Sequence, residues 1–171
     1  MGKEKKLSIY DSYVMLHDRK TVFERKKLLD EKVSLVVPED FAMMDEETRR
    51  KIYAVSDVPG ELYSNEQGCF VVGLKQAETA MEENRLENAM KIMKKVFPYS
   101  AHNAQLLSSK FLSTQNARLG VLEYVHETLL EQVYQIMFLG TLEKRLLVGS
   151  LHFSFADSEW MLPLAEEILA S

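Results

Sequence analysis

The side chains best suited to acid–base or metal chemistry are four histidines, His17, His102, His126 and His152, and their spacing keeps them apart. None stands in an H-x-x-x-H arrangement, and a zinc site needs three or four converging ligands, so no metal centre is expected. His126 and His152 fall in separate strand-like segments and meet only if strand order and register bring them together. Adjacent carboxylates occur at Glu46/Glu47, Glu82/Glu83 and Glu166/Glu167. Neighbours on a helix point about 100° apart, so these pairs read as solvated faces rather than acid/base dyads.

The stretch Leu107-Ser-Ser-Lys110 holds neither a G-x-S-x-G elbow nor an S-x-x-K nucleophile. The seven glycines are dispersed and build no phosphate loop. Cys69 is the only cysteine, which excludes an intramolecular disulfide; beside Glu66 and Gln67 it reads as a small buried hydrophobe rather than an activated thiolate. No catalytic residue, cofactor or metal ligand is assigned. Tyr124, His126 and Tyr134 are the candidates for a partner or ligand surface.

The elements that must position these residues are legible in the spacing. Lys26 to Leu29, a turn at Asp30-Glu31 and β-branched Val33 to Val37 predict a hairpin stopped by Pro38. Asp45 caps a short helix whose Glu46 and Glu47 favour its positive end, and Val58-Pro59-Gly60 soon punctuates it. Leu62 to Ser64 and Cys69 to Leu74 flank Asn65–Gly68 as a second hairpin. Leu86, Ala89/Met90, Met93 and Val96/Phe97 recur at three and four, predicting an amphipathic helix over 83–97 that ends before Pro98.

Four segments then follow with short connections: 105–114, 118–127, 133–141 and 145–155. Such connections permit antiparallel neighbours and forbid parallel crossovers, so a meander is expected. Its last two strands are partly apolar on both faces, which places them in the middle of a sheet covered on both sides, or on one side plus a partner. Asp157 or Ser158 caps a final helix with Met161, Leu164, Ala165 and Ile168 on one face. The nine methionines concentrate on these helices and strands, where a core role is expected and a groove for an apolar helix is the alternative.

Length and charge set the frame. At 171 residues, of which 46% are apolar, the chain is long enough for one well-buried core. Residues 1–32 carry nine Lys/Arg against six Asp/Glu, and the remainder carries twelve against twenty. The acidic body repels phosphate backbones, which excludes it as a nucleic-acid surface. The first 25 residues hold no apolar signal core, and no apolar run approaches the ~20 residues of a membrane span, so a cytoplasmic location without membrane insertion is expected. The expected organisation is an arm or helix over 1–25 and a single α+β domain over 26–171. That domain is an antiparallel sheet of about six strands, four of them the C-terminal meander, with helices packed on its faces.

The order of these elements resembles the PsbP-like superfamily, which also contains the Ran-binding Mog proteins and the bacterial DcrB/EagR group. The likeness runs through Val37-Pro-Glu-Asp-Phe41, the segment from Tyr53 to Gly60 leading to Leu62-Tyr-Ser-Asn65, the central helix, the meander, Leu147-Val-Gly-Ser-Leu-His-Phe153 and a helix opened by Glu159-Trp160. It covers about Lys26 to Ser171. It implies the fold, and mostly non-catalytic roles in binding proteins; no partner-contacting residue transfers to this chain.

The expected function is a non-enzymatic protein-binding or adaptor domain. The alternatives are a chaperone-like adaptor for a secreted effector, as in the EagR branch, and a small-ligand binder with an unrecognised site. Protein is the expected partner, and spare apolar strand surface is compatible with a homodimer.

Overall fold

A computed structural model describes residues 6–52, 60–100 and 103–171. His102, Tyr53 and the Val58-Pro59 punctuation lie outside them, as do Lys3, Glu4 and Lys5. The described residues carry strands β1 (Val14–Leu16), β2 (Arg19–Thr21), β3 (Phe23–Leu28), β4 (Val33–Pro38), β5 (Ala42–Met43), β6 (Glu61–Ser64), β7 (Phe70–Ala80), β8 (Ala104–Ser113), β9 (Arg118–Glu127), β10 (Gln132–Leu142) and β11 (Arg145–Ser154). The helices are α1 (Glu46–Ile52), α2 (Leu86–Ser100) and α3 (Ser158–Ala170).

The fold is α+β, and its main sheet is antiparallel, in the order β5-β6-β7-β11-β10-β9-β8. It has seven strands where about six are expected from the sequence. β5 is only two residues long and leaves no periodic signal. The expected hairpin of β3 and β4 forms as a separate two-stranded sheet. The meander runs from β8 to β11 with every neighbour antiparallel, and β11 pairs with β7 to join it to the first half. Between β10 and β11 the turn is only Glu143-Lys144, both at positive φ, as the right-handed twist of a tight hairpin requires.

Alternation along β9 and β10 sends successive side chains to opposite faces. One face meets α3, whose Met161, Leu164, Ala165 and Ile168 are fully buried with Val121, Tyr134, Ile136, Phe138, Leu151 and Phe153. α2 covers part of the other face, where Leu86 and Met90 bury against Leu122 and Leu139. The close approach depends on Gly120: a Cβ there would lie 2.4 Å from Met90 Cγ and Sδ. Met81, Met90 and Met161 are thus core residues, whereas Met43 is exposed.

The leading segment departs from the expected arm or helix. Residues 14–21 form the β1–β2 hairpin, and Ile9, Val14 and Leu16 are buried in the same cluster as α3. The Glu167 carboxylate accepts bonds from Ser8 Oγ and the Ile9 N–H. His17 Nε2 lies 2.9 Å from Asp157 Oδ2 and its ring meets Trp160 edge-on. Asp157 keeps its expected place before α3 but makes no side-chain capping bond, because its carboxylate is turned to His17. The short apolar spacings in 9–16 satisfy a hairpin as well as a helix, and burial against α3 decided between them.

Asp45 does cap α1, accepting from the Thr48 N–H at 2.8 Å. α2 runs three residues beyond its expected end, through Pro98 to Ser100. In a last turn the imino nitrogen forfeits a single backbone bond, which the helix tolerates.

Candidate functional site

The three candidate residues divide between the two faces of the sheet. Tyr134 stands opposite Val125 in register, and so shares the α3 face with Val125, Glu123 and Val121, while Tyr124 and His126 project to the α2 face. Sequence spacing cannot show this, because the relative parity of two strands is fixed by their register.

On the α3 face the Tyr134 ring stacks on Phe153, with centroids 5.3 Å apart, and its hydroxyl donates to Glu123 Oε2 at 2.9 Å. Burial, followed by this carboxylate, pushes the Tyr134 pKa up. Glu123 is not among the residues singled out by type and spacing, although a carboxylate inside the apolar run Val121–Val125 is itself a signal. It is only 8% exposed. Burial alone raises a carboxyl pKa, but the Lys110 ammonium at 2.8 Å and the Tyr134 hydroxyl outweigh it, and the Glu123 pKa lies below the ordinary value. Lys110 also reaches Glu166 on α3, at 3.5 Å. Beside this group lies a cavity of about 390 Å³ lined by Lys110, Leu112, Val121, Glu123, Pro163 and Leu169, among others.

Replacing Glu123 by leucine leaves the buried Tyr134 hydroxyl without its acceptor, which should cost about 1–3 kcal/mol. Glu123→Gln keeps an acceptor and should cost less. Urea denaturation of the two variants checks this, and equal losses would show that the bond does not hold the core.

On the α2 face, Phe97 from α2 packs edge-on against Tyr124 at 4.9 Å between ring centroids, and Tyr124 lies 6.0 Å from the His126 ring. His126 Nε2 is 3.0 Å from Gln135 Oε1. Gln135 is the register partner of Tyr124 on one side and of His152 on the other, so the row Tyr124–Gln135–His152 crosses three strands. Burial pushes the Tyr124 pKa up. Burial, and then the His126 imidazole, lowers the His152 pKa to about 4. Strand order thus brings both histidines to one face, separated by a glutamine. Among the described residues no group of three or more His, Cys, Asp or Glu side chains is placed to hold a metal ion. Stacking and neutral hydrogen bonding are what this row offers a partner.

The end of the sheet that carries this row is unusually apolar on its outside. Leu129 and Leu130, in the turn between β9 and β10, are fully exposed. The turn is well tied: Thr128 Oγ1 accepts from the Leu130 and Glu131 N–H groups and donates to the Glu131 carbonyl. Leu106, opposite Tyr124 on edge strand β8, and its neighbour Leu107 are also exposed, as is Tyr99 two residues beyond Phe97. By spacing alone 128–132 is only a connection; two leucines where turns favour Gly, Asn or Asp are the missed signal.

No family model matches the chain, and no curated protein does. Solved structures do. The solution structure of a cyanobacterial PsbP, CyanoP from Synechocystis, superposes over 87% of this chain and 90% of its own length with a TM-score of 0.57 at 11% identity. The fold is PsbP-like. A Pseudomonas aeruginosa protein of unknown function, PA94, gives a TM-score of 0.50 at 10% identity over 87% of this chain and 94% of its own. A Bacteroides thetaiotaomicron protein gives 0.53 at 10% identity over 86% of this chain and 47% of its own.

Within this PsbP-like fold the remaining singled-out residues are structural. Phe41 is buried against Phe70 and Tyr63, while Trp160 is only half-buried. Cys69 is buried, its N–H donates to Asn65 Oδ1 at 2.9 Å, and burial pushes its thiol pKa up, away from thiolate chemistry. No helix among the described residues is long and apolar enough to cross a membrane.

Proposed function

We propose that the protein is a non-enzymatic protein-binding module, an adaptor, that engages its partner through the end of the PsbP-like sheet carrying the β9–β10 turn. The observation that supports this is the pair Leu129-Leu130, fully exposed on a turn that three Thr128 side-chain bonds hold in place. Each leucine forgoes about 1.5–3 kcal/mol of burial in the isolated chain, and a partner pocket recovers it. Leu106, Leu107 and Tyr99 widen the apolar contact, and Tyr124 and His126 lie beside it.

The double variant Leu129→Ser/Leu130→Ser should melt within about 2 °C of the parent, since exposed positions contribute little to stability. A photo-reactive residue at position 107 should give a discrete adduct in cells with the parent chain and none with the double variant. An adduct pattern identical to that from position 78, at the far end of β7, would sink the reading.

The chaperone-like alternative needs an open concave apolar face. It draws no support from β9 and β10, which α2 covers on one side while the cluster with α3 fills the other. The small-ligand alternative has one observation in its favour, the cavity beside Glu123. A thermal-shift screen separates it from protein binding, because a ligand held there stabilises the chain in the absence of any partner.

A further inference from the structure

α2 buries Leu86, Met90 and Phe97 against the sheet, yet it carries a second apolar stripe on its solvent side. Ile92, Val96 and Tyr99 are 53%, 48% and 79% exposed. Their i, i+4, i+7 spacing aligns them along one line of the helix. Half-buried Ala89 and Met93 stand next around the helix and lead down to Met137, Leu146 and Val148 of the sheet, so the stripe borders a shallow apolar trough. Lys95 stands three residues from Ile92 and four from Tyr99, beside both, and Lys91 extends the same row one turn back. Among the described residues Lys91, Lys94 and Lys95 make no ion pair, and Glu87, one turn before Lys91, is engaged by Arg118 at 3.2 Å. Two uncompensated lysines at i and i+4 repel each other, and a negative partner relieves that repulsion.

We infer that this stripe docks an amphipathic helix of another protein, with an apolar line at i, i+4, i+7 and acidic residues along the side that faces Lys91 and Lys95. The inference rests on the protein-binding reading and adds the chemistry of the partner. Charge complementarity selects the occupant: the stripe is apolar with a basic flank, in a chain of net charge −5. A partner helix touches only the stripe and its lysines, whereas an anionic membrane faces the acidic body as well and is repelled by it.

The test uses the full ¹⁵N-labelled chain. Its probes are a synthetic helical peptide with leucine at i, i+4, i+7 and glutamate flanks, a lysine-flanked twin, and phosphatidylglycerol-containing vesicles. The acidic peptide should shift the amides of Lys91–Tyr99 and weaken with salt. Lys91→Glu/Lys95→Glu should reduce its affinity about tenfold or more and favour the lysine-flanked twin. Ile92→Ser should weaken both peptides, and thermal melts confirm that these surface variants fold. The inference is overturned if α2 stays silent at about 1 mM peptide, or if both peptides bind the parent chain equally. It also falls if only vesicles bind, or if α2 shifts with protein concentration alone, which marks a second copy as the occupant. Silent peptides with the adduct from position 107 intact remove this inference alone; loss of both removes the protein-binding reading.

Discussion

Gly149→Ala is expected to cost about 3 kcal/mol, at the upper end of core overpacking, and to lower the melting temperature by about 6–12 °C. Gly149 on β11 is the register partner of Phe138 on β10. The Phe138 ring lies across the glycine: a Cβ at position 149 would meet Cζ at 2.0 Å, Cε2 at 2.2 Å and Cε1 at 2.6 Å. Phe138 is 4% exposed and packed in the cluster with Ile136, Leu151 and α3, so the ring cannot swing to solvent. The methyl group must displace the ring or part the two central strands. In a Phe138→Leu background, where no ring covers the glycine, the same change should cost under about 1.5 kcal/mol. Denaturant unfolding of the four proteins of this cycle gives the coupling. Additive effects would show that the contact does not determine the cost.

Stability should fall by up to about 3 kcal/mol as the pH drops from 6.5 to 4, and His152→Gln should remove most of that slope. His152 is half-buried on the α2 side of β11, and burial with the His126 imidazole lowers its pKa from 6.5 to about 4. Above pH 6.5 the imidazole is neutral folded and unfolded, so nothing is lost there. Below 6.5 the unfolded chain binds a proton that the folded chain refuses until about pH 4, so stability rises with pH across that window. Glu123 titrates in the same sense but at lower pH: its lowered pKa gives stability that is lost only as the pH falls through and below the ordinary carboxyl range, and this separates the two windows. Urea midpoints from pH 7 to 4.5 for parent and His152→Gln test the assignment. Superimposable profiles would exclude His152 as the titrating group.

Local features are the part of this chain that its sequence shows well. The β3–β4 hairpin, the Asp45 cap, α2 and all four meander strands follow from period and punctuation, because each records the solvation of neighbouring residues. β5 is too short to have a period. The hairpin of residues 14–21 is hidden because the contacts that hold it and the segment leading into it, Asp157 to His17 and Glu167 to Ser8 and Ile9, come from α3 and the residue before it, more than a hundred residues away.

The candidate surface divides along the same line. That Tyr124 and His126 share a face is fixed by their spacing of two. That Tyr134 lies on the other face, paired with Glu123, depends on the β9–β10 register. That His152 joins the row through Gln135 depends on the β10–β11 register. By itself the sequence determined the β3–β4 and β6–β7 hairpins, the existence of the three helices, the meander strands and the acidic charge of the body, since all of these are properties of adjacent residues. Only the tertiary structure decided which side chains meet across the sheet, that Leu129-Leu130 has no cover, and that α2 turns a second apolar stripe to solvent. Strand register and helix placement minimise the exposure of the whole core, and no local window of residues contains that information.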